Sequence, residues 1–195
     1  ENLRKSLKFF LIMLASAFAL FVTTQKVEAK ELTNAISSVI IWDDYAGREA
    51  TKTSGVYQLV KGNPYTYQTK FDLSAYDGNL EDGDSFTFTI PAPITVKNTS
   101  FELKADLPDG STIAVGDAVV TSNGEGQGGT VSITLKNLAA YMAAKGGTQL
   151  QGVKGTFYTS FKVNEVVSNT TLNYDTTETT DTITNVIKVS EATTT

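Results

Sequence analysis

An all-β fold, a sandwich of two sheets with one short helix crossing between them, is what the sequence predicts, on three observations. Beyond residue 30 the chain is rich in Thr, Val, Phe and Tyr, which suit a pleated, half-buried surface, and Gly, Asn, Asp and Pro interrupt it at short intervals. Two stretches alternate apolar and polar residues with a period of two. Only residues 137–145 have the composition of a helix.

The first 29 of the 195 residues are set apart from this pattern. Leu3-Arg4-Lys5-Ser6-Leu7-Lys8 is basic, Phe9 to Val22 is apolar or small throughout, and Val27-Glu28-Ala29 has the small-x-small form of a cleavage site. That order predicts a secretory signal peptide over 1–29, its apolar run of about 14 residues being shorter than a membrane-spanning helix requires. Cleavage after Ala29 leaves a mature chain from Lys30, long enough for one domain with its own core. The first residue is Glu, and no wall-sorting segment follows Thr195, so the sequence is expected to be a piece of a longer precursor.

Strands are expected in order from Val39 onward. Val39 to Trp42 is short and closed by Asp43-Asp44. From Tyr65 to Leu73, the residues Tyr65, Tyr67, Phe71 and Leu73 share one face while Gln68, Lys70 and Asp72 share the other. In NLEDGDSFTFTIP, residues 79 to 91, the side chains of Phe86, Phe88 and Ile90 alternate with Ser85, Thr87 and Thr89. Pro91 ends that strand because it has no amide to donate. Burying the three apolar side chains stabilises the fold by about 1.5 to 3 kcal/mol each. Further strands are expected over 101–105, 118–121, 131–135, 156–163, 171–174 and 182–189, with a helix over 137–145 capped by Asn137 and stopped by Gly146-Gly147. The sandwich is bounded at 30–189, and 190–195 has the look of a linker.

Composition removes most chemistry. There is no histidine and no cysteine, which excludes thiolate nucleophiles, Ser-His-Asp triads, histidine general bases and ordinary zinc sites; disulfides are excluded too. The chain carries 16 basic and 21 acidic residues, and loss of the leader moves the net charge from −5 to −7. Nucleic acid and anionic membrane, both negative, are not expected partners.

Four motifs are candidate sites. Asp77-Gly78-Asn79-Leu80-Glu81-Asp82 begins like a calcium loop, but Asp82 stands where the loop needs Gly and Phe88 where it needs a bidentate Glu. The alternative is a polar turn in which Gly78 and Gly83 take positive φ and the Asp side chains bond their own backbone. Gly124 to Gly129 reads GxGxxG yet opens an alternating strand rather than a helix, so a hairpin loop is expected and no nucleotide cofactor. Asp43-Asp44 is a carboxylate pair of the kind glycosidases use, or a solvated turn. In the strand 156–163, Phe157 and Phe161 occupy the apolar phase, which turns Tyr158, Ser160 and Lys162 outward. Those three are the candidate ligand-binding residues, since an outward Tyr offers rigid contact area, although outward Tyr is also common in sheets. No catalytic residue, metal ligand or cofactor is assigned.

Taken in order, Leu80 to Pro91, Gly129 to Leu135, Val153 to Phe161 and the strand from Thr182 to Val189 running into Ser190-Glu191-Ala192 resemble the first Ig-like subdomain of Gram-positive surface adhesins of the collagen- and fibrinogen-binding MSCRAMM class. The resemblance covers most of 36–190. It implies an Ig-like β-sandwich, without catalysis, that binds a host matrix or plasma protein of the collagen or fibrinogen class together with a following Ig-like domain, ligand being held in the cleft between the two. It further implies a secreted protein attached to the cell wall through a region beyond Thr195. The other reading is a stalk or pilin-like spacer. Some relatives carry a Lys to Asn isopeptide bond; Val39 to Trp42 has no Lys, which leaves Lys70, Asp72 and Asn185 as the only trio of the right kinds.

Overall fold

The computed structural model describes residues 28–174 and 183–193. Most of the signal-peptide segment, the start of the strand expected from Thr182 and the last two residues of the expected linker lie outside them. Thirteen strands are formed among the described residues: β1 (Ile36–Asp43), β2 (Arg48–Glu49), β3 (Lys52–Thr53), β4 (Val56–Val60), β5 (Tyr65–Asp72), β6 (Ser85–Ile90), β7 (Ile94–Thr95), β8 (Thr99–Asp106), β9 (Thr112–Ser122), β10 (Gly129–Leu135), β11 (Lys154–Val163), β12 (Val167–Asn173) and β13 (Thr184–Ser190). The all-β expectation holds. Where two sheets were expected there are three, with strand orders β2-β1-β5-β11-β7, β6-β10-β9-β8 and β12-β13-β4-β3.

The third sheet exists because β4 has a partner far away in sequence. β13 runs parallel to it, pairing Val186 with Val56 through Ser190 with Val60. Ser190, expected to begin a linker, is thus the last residue of a strand. Tyr57 and Leu59 of β4 and Ile187 and Val189 of β13 are buried, so this ladder also closes over apolar side chains.

Alternation decides which side chains enter the core. Phe86, Phe88 and Ile90 are buried, as are Tyr65, Tyr67, Phe71 and Leu73, while Lys70 is exposed. Tyr67 is the meeting point of the layers. Its ring stacks on Phe161 of β11 at 4.2 Å and meets Phe88 of β6 edge-on at 5.7 Å; Tyr174, just past β12, stands edge-on to it at 5.3 Å. Burial holds the Tyr67 hydroxyl proton far above its ordinary range, so the group is neutral at every physiological pH.

The helix α1 (Leu138–Ala144) joins β10 to β11 and therefore crosses between sheets, as expected. Its end follows the sequence signal: Gly146 has φ of 68°, its N–H donates to Ala143, and the N–H of Gly147 donates to Met142. Its start does not. Asn137 has φ of 56° and makes no side-chain capping bond; Asp82 accepts from the Leu138 N–H at 3.1 Å instead. No helix among the described residues is long and apolar enough to cross a membrane.

The GxGxxG segment is the hairpin between β9 and β10, not a nucleotide loop. Gly128 has φ of 70°, and a Cβ there would overlap the Ile90 carbonyl, because the turn packs directly on the end of β6. Gly128→Ala should therefore cost at least about 2 kcal/mol, through strain and overlap together. Chemical denaturation of the variant checks this, and Gly126→Ala, with nothing near its Cβ, should cost less.

Candidate functional site

The acid-rich turn ahead of β6 comes first, because its carboxylates are a candidate cation site. Gly78 and Gly83 do take positive φ, at 78° and 96°, as a turn requires. The carboxylates, however, mostly reach beyond their own backbone. Asp77 accepts from the Gly152 N–H at 2.9 Å, Asp82 caps α1, and Asp84 binds Lys30. They point to three different elements rather than to one centre, and among the described residues no three His, Cys, Asp or Glu side chains cluster as metal ligands.

Asp84 does hold a cation, and it is Lys30. Its side chain is fully buried under that of Lys30 and accepts from Lys30 Nζ at 2.7 Å, from the Lys30 backbone N–H at 2.9 Å and from the Glu81 N–H at 2.9 Å. Lys30 Nζ also donates to the Asn79 carbonyl. Burial pushes the Asp84 carboxyl up, but the bonds from Lys30 and Glu81 and the Lys30 charge outweigh it and hold the group below the usual carboxylate range.

The other candidate residues hold the fold together. Asp43 accepts from the N–H groups of Tyr45 and Ala46, each at 3.0 Å, and Asp44 from the Thr66 hydroxyl at 2.8 Å, so the pair forms a turn and a cross-strand tie. Lys70, Asp72 and Asn185 do not share a constellation: Lys70 is exposed, Asp72 accepts from Ser74, and the Asn185 amide donates to the Val39 carbonyl and the Tyr174 hydroxyl.

Tyr158, Ser160 and Lys162 lie along one wall of a groove of about 420 Å³. The parity expected from Phe157 and Phe161 holds: those two rings are buried, and Tyr158 is 59% exposed. Two features make the groove. Among the described residues, β11 pairs on one side with β5 along Lys154 to Phe161, but on the other only with β7, at Lys162 and Val163. Its remaining outer flank faces β8, itself the last strand of its sheet. The two strands touch at one end, where Gly155 is so close to the Lys104 carbonyl that a Cβ would overlap it, and Phe101 stacks on Phe157 at 6.0 Å. Beyond that contact they part, leaving Thr99 and Phe101 across from Tyr158 and Ser160.

Lys97 also lines the groove, and among the described residues neither it nor Lys162 is in an ion pair. Two free cations against the single carboxylate of Asp44 give a locally positive trough on an acidic chain. Lys97 and Thr99 were not found from sequence. A signal existed, since Ile94 and Val96 are buried while Lys97, in the opposite phase, is exposed. No family model matches the chain, and neither does any curated protein or solved structure.

Two expectations test this geometry. Tyr158→Ala should change unfolding free energy by no more than about 0.5 kcal/mol, whereas Phe157→Ala should cost about 3 to 5 kcal/mol. For Asp84, the folded carboxyl titrates below its unfolded counterpart, so its stabilisation is present above about pH 4 and fades as pH falls through the folded value. Urea titrations from pH 7 to 3 should show that loss in the native protein, and a shallower one in Asp84→Asn.

Proposed function

We propose that this chain is an exported bacterial adhesin domain that binds a host matrix or plasma protein, collagen-like or fibrinogen-like, without catalysis. Its sheets form an Ig-like sandwich of the kind that precedes a second Ig-like domain in Gram-positive surface proteins, and the wall-attachment region lies beyond this sequence. The observation that carries the reading is the groove between β8 and β11, where an exposed Tyr stands beside a strand flank that has no strand partner among the described residues. An extended segment entering it would add backbone hydrogen bonds along β11 and bury contact area on Tyr158 and Phe101. Lys97 and Lys162 suit a segment that carries carboxylates, which sets orientation and association rate more than affinity. The resemblance from Leu80 to Pro91 and onward supports the same reading.

Surface plasmon resonance on immobilised collagen and fibrinogen, with the exported protein extended through its following domain, tests it. Saturable binding that survives moderate salt is expected. Tyr158→Ala should weaken it about tenfold or more, a change of about 1.4 kcal/mol, and Lys162→Glu should slow association. No saturable binding to either protein would leave the spacer reading in its place.

A further inference from the structure

The cation that Asp84 holds is unusual in its position along the chain. Lys30 gives Asp84 two nitrogens: Nζ at 2.7 Å from Oδ2 and the backbone N at 2.9 Å from Oδ1. That backbone N belongs to the peptide bond at which the leader pattern ends, Val27-Glu28-Ala29 before Lys30. Ala29 is exposed beside Gly83, while the residues after it are fastened down. Ser85 donates to the Lys30 carbonyl at 3.0 Å, Leu32 donates to the Ser85 carbonyl at 2.7 Å, and Leu32 is buried.

We propose that Asp84 is the receptor for the α-ammonium group that cleavage after Ala29 creates on Lys30, so that removal of the leader completes an ion pair and fastens the start of the mature chain to β6. The step is a hydrolysis by a leader peptidase of the exporting cell. The bond between the Ala29 carbonyl carbon and the Lys30 nitrogen breaks, water supplies the oxygen of the new Ala29 carboxylate, and the nitrogen gains protons to become an ammonium at neutral pH. A neutral amide donor on a solvent-excluded carboxylate is thereby replaced by a charged one at the same place, and charge-assisted bonds are about twice as strong. Glu81 and Asp82 on the same turn and Glu31 next in the chain make the surrounding sequence acidic. The acidic turn ahead of β6 is then a cation site whose cation is the protein's own first residue.

Export of the full chain from a secreting Gram-positive host, followed by N-terminal sequencing, should give Lys30 as the first residue. A second version carries one serine inserted between Ala29 and Lys30. Its mature chain places that serine where Ala29 lies in the structure and meets Asp84 with an amide instead of an ammonium. The native form should melt about 2 to 6 °C higher than the inserted form. Its α-amine should also react about tenfold more slowly in reductive methylation near neutral pH, because an ammonium paired with a buried carboxylate gives up its proton less readily. Asp84→Asn should erase both differences, and if that variant does not fold, the reactivity comparison decides alone. A mature chain starting elsewhere, or equal reactivity of the two forms, overturns the proposal. It shares only the export step with the adhesin reading: a mature chain that shows both differences and binds no host protein sinks that reading and not this one.

Discussion

The three sheets depend on one aromatic junction. Tyr67 contacts Phe161 within its own sheet, Phe88 in the second and Tyr174 beside the third, so a single side chain touches all three layers. Aromatic pairs at offset or edge-on geometry add to plain area burial and also fix relative orientation. Phe88 extends the junction toward Phe157, and Phe157 toward Phe101, which links the buried centre to the wall of the groove. The groove is therefore walled by β8 and β11 and backed by this buried aromatic cluster, an arrangement that supports a preformed binding surface.

Much of this was legible from alternation. Phe86, Phe88 and Ile90, or Tyr65, Tyr67 and Phe71, sit on one face of their strands because each strand has a wet side and a dry side, and period two reports that directly. The same parity put Tyr158 outside between Phe157 and Phe161. What could not be read depended on partners far away in sequence. Val56-Tyr57-Gln58-Leu59-Val60 has the residues of a strand, but its ladder is completed by β13, a partner that nothing local to it announces. The cap on α1 likewise comes from Asp82, 56 residues upstream of Leu138, while the nearby Asn137 has a backbone conformation in which its side chain does not cap.

The groove illustrates the same limit. Its one wall was visible in the phase of a single strand, but the other belongs to a different sheet, and nothing local to Thr99 or Phe101 says that they stand across from Tyr158. The acid-rich turn was equally half-legible. Its glycines announced a turn, whereas the destinations of Asp77, Asp82 and Asp84 are tertiary facts. These three carboxylates tie the turn to the Gly152 loop, to α1 and to Lys30, so a stretch that looked like solvated loop acts as a tie between separate parts of the fold.

The parallel ladder between β4 and β13 has a consequence for the order of assembly. Val56 and Val186 are 130 positions apart, so this pairing has to wait until everything between them has been synthesised and the intervening loop can be closed. Hairpins such as β8-β9 and β9-β10 can zip early, while the edge of β4 stays open for the longest time. A nascent chain of this sequence carries an uncapped strand edge until β13 arrives, and that is the interval in which intermolecular pairing competes with correct closure.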